Sequence, residues 1–186
     1  MVSSPVSELR QAMESGGIDL ALGYFPDLKG SNTFQQRLFD HSFVCVVRRE
    51  NPISGARMTL KQFLGARHLV VNAEGRSQEV FEAFLAKKNI QRQVVLSTRH
   101  FMTVPVIVAQ SDLVATIPMA LARKFTSMTG IRMVTPPFSV PRYSLRQHWH
   151  RRVHLDPANR WLRGVVADLF SHQGSGWREF HAEVGA

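Results

Sequence analysis

Two adjacent side chains that could bind an organic anion, His100 and Phe101, lie in the segment LSTRHFMTVPVIVAQSDLVATIP. His100 can donate hydrogen bonds to a carboxylate or share charge with it, and Phe101 offers a flat apolar face. The segment predicts a strand that ends near Thr98 and a helix that begins near Met102. Free backbone amides and the positive end of a helix dipole would therefore meet there. This pattern favours an aromatic acid as ligand. The competing interpretation is that His100 is a satisfied loop residue and Phe101 fills the core.

A second strand end facing a helix start is predicted in the loop NAEGRS. It separates the predicted strand HLVV from a helix that we expect to be capped by Ser77 and to run to Lys88. His68 and Arg76 lie close to this loop in sequence. The sequence thus predicts a second anion-binding corner of the same design.

Three histidines in the segment HWHRRVH raise a different possibility, a zinc site. His148 and His150 would share one face of a strand, and His154 could reach the same side. Neighbouring arginines would repel a cation, and the carboxylate or nucleophile of a hydrolytic site is lacking nearby. We therefore expect no metal and no cofactor. A His-rich metal-dependent hydrolase is kept as a weaker alternative. The single cysteine, Cys45, lies in the apolar run FVCVV and predicts a buried thiol rather than a nucleophile.

The chain is basic, with 23 Lys and Arg residues against 14 Asp and Glu and a net charge of +9. Such a balance keeps a nucleic-acid-binding module open as an alternative function. Much of the excess is local, however, and no glycine-rich or aromatic RNA-binding signature accompanies it. Arg163 is expected on a solvated helix face. Between Pro141 and Gly164 a single acidic residue, Asp156, stands among the arginines Arg142, Arg146, Arg151, Arg152, Arg160 and Arg163.

Strand and helix signals alternate along the chain, which predicts an α/β protein with largely parallel sheets. Thr59 and Gln62 form a capping box that opens a short helix. Asp156 followed by Pro157 opens another, with Trp161, Val165 and Leu169 predicted on its buried stripe.

Two Pro- and Gly-marked crossovers, NPISGA and TPPFSVP, divide the chain into an outer part, a middle insert and a return. This predicts a first lobe from residues 1–52 and 134–186, and a second lobe from residues 53–133. The longest apolar run, Val104 to Ala109, is far shorter than a membrane span, and the start of the chain resembles no signal peptide. With one cysteine, the chain is expected to be cytoplasmic and to make no membrane contact.

Four segments together resemble the effector-binding domain of LysR-type transcriptional regulators, and most closely the branch that responds to aromatic compounds. These segments are LRQAMESGGIDLALG, FVCVVRRENP, HFMTVPVIVAQSDLVATIP and WHRRVHLDPANRWLR. The resemblance covers nearly the whole chain. It implies a periplasmic-binding-protein type 2-like fold of two α/β lobes with a ligand cleft, in which lobe one is truncated at its N-terminus. It also implies that the DNA-binding helix-turn-helix is absent from this chain.

The resemblance further implies a sensing domain and not an enzyme, with a small aromatic or carboxylate effector and a homo-oligomeric state. Contact with DNA would occur only through the absent helix-turn-helix. In the family's side-by-side dimer, the helices Val6 to Ser15 and Ser77 to Lys88 are the expected contacts. The effector-binding residues that it implies, together with the two corners, are Tyr24, Phe25, His68, Ser77, His100 and Phe101.

Overall fold

The computed structural model describes residues 6–26, 28, 30, 32–53, 55–72, 76–128 and 130–171. The chain forms two compact units. Unit 1 comprises Met1–Asp40 and Ser144–Ala186, and unit 2 comprises His41–Tyr143. In chain order the regular elements are α1 (Val6–Ser15), β1 (Ala21–Gly23), β2 (Thr33–His41), β3 (Phe43–Arg48), α2 (Leu60–Gly65), β4 (Arg67–Val71), α3 (Arg76–Lys87), β5 (Gln93–Thr98), α4 (Val104–Ala109), β6 (Val114–Pro118), α5 (Met119–Thr126), β7 (Ile131–Val134), β8 (Tyr143–His150) and α6 (Pro157–Ser171).

Unit 1 is built on a three-stranded sheet of order β1-β8-β2. β1 runs antiparallel to β8, with Ala21 opposite His148. α1 contributes the buried side chains of Leu9 and Met13, which pack with Ala21 and Leu28. Their spacing of four residues places both leucine and methionine on one face of the helix, which explains why α1 forms against this core.

α6 begins as the sequence predicts but presents a different face to the core. The Asp156 carboxylate accepts the amide of Asn159 at 2.6 Å, and Pro157 occupies the first helical position. Asn159 and Val166 are buried, whereas Trp161 is 70% exposed and Leu169 is 63% exposed.

The predicted burial of the apolar stripe on α6 is therefore wrong for the structure described. Val165, the third member of the stripe, is 36% exposed. Helical spacing identifies which residues share a face, and it does not identify what covers that face. An exposed apolar stripe of this length is unusual on the surface of a soluble domain.

Unit 2 contains a mixed five-stranded sheet of order β5-β4-β6-β3-β7. β4 is parallel to β5 and to β6, whereas β3 is antiparallel to β6 and to β7. The α/β class is confirmed, but the expectation of largely parallel sheets is wrong. The crossover helices make β4, β5 and β6 parallel. β3 enters from unit 1 without such a crossover and runs the other way.

The pairing of β3 also decides where the units divide. Because β3 and β7 both belong to the sheet of unit 2, the chain leaves unit 1 at Asp40 and returns to it at Ser144. The sequence predicted instead that the chain leaves the first lobe after residue 52 and returns to it at residue 134. The segment NPISGA lies inside unit 2.

The core of unit 2 lies between this sheet and its helices. α2 starts at the predicted capping box, in which the Thr59 hydroxyl accepts the Gln62 amide and the Gln62 side chain accepts the Thr59 amide. No helix in the described part of the chain has both the length and the apolar character needed to cross a membrane. The buried apolar side chains that pack together are Val44, Val46, Leu69, Val71, Val104, Val108, Leu113, Ala115, Ile117, Ala122, Phe125 and Ile131.

Candidate functional site

The carboxyl ends of β4, β5 and β6 lie at the same edge of the sheet of unit 2, because these three strands are parallel. Val71, the last residue of β4, is opposite Thr98, the last residue of β5. The next amide along, that of Asn72, donates to the Thr98 carbonyl at 2.7 Å. The two predicted anion-binding corners therefore leave the sheet from adjacent strand ends. This is the edge at which open α/β sheets bind ligands.

The loop between β5 and α4 is held by two threonine hydroxyl groups. The Thr98 and Thr103 hydroxyl oxygens are 2.9 Å apart, and the Thr103 hydroxyl donates to the His100 carbonyl at 2.8 Å. The His100 amide donates to the Thr98 hydroxyl at 3.3 Å. These bonds fix the backbone of His100 before any ligand arrives, which lowers the entropy that binding would cost.

His100 and Phe101 differ in how they use this loop. The His100 side chain is exposed, and no hydrogen bond to its ring is found among the described residues. Phe101 is partly buried and packs against the core of unit 2. A short 3-10 turn, Phe101–Thr103, precedes α4, so the first helical amide belongs to Phe101 rather than to Met102. The imidazole is therefore exposed to solvent, whereas part of the phenyl ring packs in the core of unit 2.

The second corner lies at the predicted position, but its helix begins earlier in the sequence than predicted. α3 begins at Arg76, so Ser77 lies inside its first turn and not at its N-cap. The amides of a first helical turn lack partners within the helix, and the amide of Ser77 is one of these. A helix begins here because buried Gln78, Phe81 and Leu85 follow at intervals of three and four residues.

His68 is placed away from both corners. It is the second residue of β4 and pairs with Val94 and Val114, at the amino ends of the parallel strands. Its side chain is 1% exposed, and its Nε2 atom lies 2.8 Å from the Phe63 carbonyl oxygen. Burial lowers the pKa of this imidazole. These contacts make His68 a core residue, because a strand of this length separates its ring from the loops at the other edge.

Tyr24 and Phe25 belong to unit 1, where they follow the carboxyl end of β1. Both are partly buried. The Phe25 ring meets the His148 ring edge to face at 5.5 Å and folds over Gly23, where a Cβ atom would lie 2.6 Å from it. A side chain at that position would require the phenyl ring to move. The role of these two residues in effector binding stays a prediction.

The three histidines of HWHRRVH have protein partners or are buried. The His150 Nδ1 atom accepts the Arg152 amide at 3.3 Å, and the His154 Nδ1 atom accepts the Trp149 indole N–H at 3.1 Å. His148 is 1% exposed. In the part of the chain that the structure describes, no group of three or more His, Cys, Asp or Glu residues could hold a metal ion.

Cys45 is a buried thiol, as the sequence predicted. Burial raises the pKa of this thiol to about 11, so it is protonated at neutral pH.

The expectation that Arg163 lies on a solvated helix face is wrong. Its guanidinium carbon lies 4.2 Å from the centre of the Trp149 ring, and the group donates to the His154 carbonyl at 3.0 Å.

Comparison with known proteins identifies the family of the chain. The family model described as the LysR substrate binding domain matches residues 1–171. The chain belongs to the LysR substrate-binding domain family. The sequence resemblance is therefore confirmed, and the nucleic-acid and metal-hydrolase alternatives receive no support.

Curated relatives of this LysR domain include two named transcriptional activators. The chain is 35% identical to the HTH-type transcriptional activator NagR of Ralstonia sp over 163 residues, covering 88% of this chain and 54% of the relative. It is 33% identical to the HTH-type transcriptional activator NahR of Pseudomonas putida, with the same two coverages. The chain spans about half the length of the curated relatives it matches.

Solved structures show the same fold. The regulatory domain of MexT, a transcriptional activator in Pseudomonas aeruginosa, superposes with a TM-score of 0.70 at 25% identity, covering 84% of this chain and 77% of that one. A putative transcriptional regulator from Vibrio parahaemolyticus reaches a TM-score of 0.81 at 21% identity, covering 94% and 80%. The predicted type 2 periplasmic-binding-protein-like fold is confirmed.

Proposed function

We propose that this LysR domain senses a small aromatic or aromatic carboxylate effector and does so by binding alone, without catalysis. The observation that carries the proposal is the loop between β5 and α4, in which a fixed backbone presents the unpaired His100 ring beside Phe101. The start of α3 leaves the adjacent strand end. A carboxylate at this edge would meet backbone amides from two helix starts and the imidazole donor.

In unit 2 the proposed site uses three of the six residues predicted from sequence. Ser77 contributes its amide, His100 a hydrogen bond and Phe101 the exposed part of its ring. The roles of Tyr24 and Phe25, which belong to unit 1, stay predictions from the sequence. His68 is left out because its ring is buried at the other end of β4.

The output of binding is a shift between arrangements of the domain, and an effector shifts that equilibrium only by its differential affinity for them. In a complete regulator we propose that this shift reaches DNA through a helix-turn-helix domain outside these 186 residues, in the cytoplasm. The relatives named as HTH-type regulators support this placement.

Benzoate or salicylate is expected to raise the melting temperature of the chain, because a ligand that binds only the folded state stabilises it by about 2.7 kcal/mol at one hundred times Kd. His100→Ala should weaken affinity by about tenfold, the usual effect of losing one hydrogen bond to a charged group. Calorimetric titration of both proteins measures this ratio.

The matched control is Lys124→Ala, which removes an exposed cation from the end of α5. Arg163 would be an unsuitable control because its guanidinium stacks on Trp149. His100→Gln retains a donor and should recover part of the affinity. Equal losses in His100→Ala and Lys124→Ala would mean that the anion binds a basic surface and that the site is misplaced.

We also propose that the chain associates with itself. Trp161 and Leu169 of α6 are exposed, and β1 lies at the edge of its sheet with Leu22 42% exposed. Exposed strand edges and apolar stripes favour association. The helices α1 and α3, which the resemblance places in the family dimer, are the other candidates.

Light scattering at micromolar concentration should give a mass about twice the 21.0 kDa of one chain. Trp161→Gln with Leu169→Gln should move the equilibrium towards monomer, because both changes remove apolar area from the stripe on α6. Met128→Gln, which alters an exposed apolar residue of unit 2, should leave the mass unchanged. A monodisperse monomer of the unaltered chain would refute self-association.

A further inference from the structure

A pocket in unit 2 lies at the opposite edge of the sheet from the His100 loop. Its volume is about 460 Å³, within the usual range for small-molecule sites. Arg67, the first residue of β4, and Asp112, just before β6, contribute to its wall. Because β4, β5 and β6 are parallel, their amino ends are as far from His100 as the strands are long. The pocket is therefore separate from the proposed effector site.

The charges that line this pocket favour an anion. Lys61 and Arg67 both line it, and neither side chain forms a hydrogen bond or ion pair with any residue in the described ranges. Asp112 is the acidic residue of the lining, and the Arg48 guanidinium binds it through contacts of 2.8 and 2.9 Å. The same guanidinium also lies 3.7 Å from the Glu50 carboxylate, outside the lining, so Arg48, Lys61 and Arg67 stand against two carboxylates. This balance leaves the pocket positive.

Two walls of the pocket are fixed by contacts made elsewhere. The wall formed by α2 is held by the reciprocal bonds between Thr59 and Gln62. The facing loop is held by Arg132, whose guanidinium donates to the carbonyls of Ile53 and Gly55, the second at 3.1 Å. A pocket whose walls do not reorganise loses less entropy when a ligand binds.

We propose that this pocket binds a small organic dianion, such as a phosphate monoester or a dicarboxylate. Lys61 on α2 and Arg67 on β4 bind the two charges, and Arg67 can bind a carboxylate or phosphate through two donors at once. Pro52 and Ile53 contact the apolar part of the ligand. The site is independent of the effector proposed above and gives the domain a second small-molecule input.

Glycerol 3-phosphate and succinate, which lack the aromatic ring of the effector proposed above, are titrated separately into the whole chain and distinguish the two kinds of dianion. Amide shifts in a nuclear magnetic resonance titration should be saturable and should centre on Lys61 and Arg67. Lys61→Ala with Arg67→Ala should weaken binding by at least tenfold. Lys88→Ala with Lys124→Ala, which removes the same charge from exposed positions, should not change it. The same titration of His100→Ala protein should give the same affinity, because the loop at the other edge takes no part.

Filling the pocket gives a second, independent test. Gly65 is a lining residue and a Cβ atom there would meet nothing within 4 Å, so Gly65→Leu adds an apolar side chain at the wall of the pocket with room for its first atom. Binding should then be lost while the melting temperature is kept. Gly164→Leu is the matched control, since that helical glycine also faces open space. The proposal would be overturned by unchanged binding in Gly65→Leu or by equal loss of affinity in the two double variants. It would also be overturned by shifts centred on His100, or by the absence of saturable binding at millimolar concentrations of the probe.

Discussion

Lowering the pH from 7 to 4 is expected to destabilise the protein by about 3 kcal/mol for each of two buried histidines, His41 and His148. Their side chains are 6% and 1% exposed. Burial lowers the pKa of His41 to about 4, and burial together with the neighbouring Arg146 lowers the pKa of His148 to about 4. A histidine in the unfolded chain has a pKa of 6.5. Between these two values the unfolded chain binds more protons than the folded chain.

Stability therefore rises with pH across this window. The full contribution is present above pH 6.5 and is lost as the pH falls towards 4. Urea unfolding followed at half-unit steps of pH measures the slope, and tryptophan fluorescence together with far-UV circular dichroism tests whether the two units unfold together.

Apolar replacements identify the groups responsible. Among the described residues neither ring nitrogen of His148 has a hydrogen-bond partner, so His148→Leu breaks no bond found there and should remove the contribution of His148 to the pH dependence. His41→Phe retains an aromatic ring where the imidazole now stacks on Tyr143, with ring centres 5.3 Å apart, and should remove the contribution of His41 to the pH dependence. His100→Gln changes an exposed ring and should leave the slope as it was. A slope that persists in the double variant would assign the acid sensitivity to other groups.

Local signals in the sequence predicted the elements of this fold well. The capping box at Thr59 and the Asp156–Pro157 start are each formed by residues within a few positions of one another, and both occur as predicted. The strand β5 ends at Thr98, as predicted. Such features depend on short-range hydrogen bonds and on backbone preference, which adjacent residues determine.

Features that depend on distant residues were predicted less well. β2, with the sequence TFQQRLFDH, was missed because most of its side chains are exposed and no apolar alternation marks it. The antiparallel pairing of β3 depends on two strands that come some seventy and ninety residues later in the chain. The face that α6 buries depends on what packs against it. Sequence spacing gives no information about any of these partners.

The candidate site residues show the same difference between features set by adjacent residues and features set by distant ones. The His100 loop was predicted because its strand end, aromatic residue and helix start are contiguous. The position of His68 at the amino end of β4 was not evident from the sequence, because only the register of the strand shows which end of the sheet a residue occupies. Lys61, Arg67 and Asp112 were missed altogether, since three separated segments bring them to one pocket. The one sequence signal that could have indicated this pocket is a capping box with two basic residues, Lys61 and Arg67, close to it in sequence.

Phe81→Ala is expected to destabilise the chain by about 3–5 kcal/mol, the usual cost of removing a buried aromatic ring and leaving a cavity. Phe81 is fully buried on α3. Its ring centre lies 5.2 Å from that of Phe43 and 6.4 Å from that of Phe138, and the Arg92 guanidinium carbon lies 5.5 Å from it. Truncation therefore removes contacts to β3, to the segment after β7 and to a cation at once. Urea unfolding at pH 7 measures the loss.

Phe84→Ala provides the matched control, because Phe84 lies on the same helix but is only partly buried. Its ring is 5.4 Å from that of Phe138 and 6.3 Å from that of Phe81. The loss there should be less than half as large, since water already covers part of the ring. Phe81→Leu should recover part of the stability by refilling the cavity. If both alanine variants lost equal stability, α3 would not be anchored through Phe81. The helix start at Ser77 would then need another support to hold its amide at the proposed effector site.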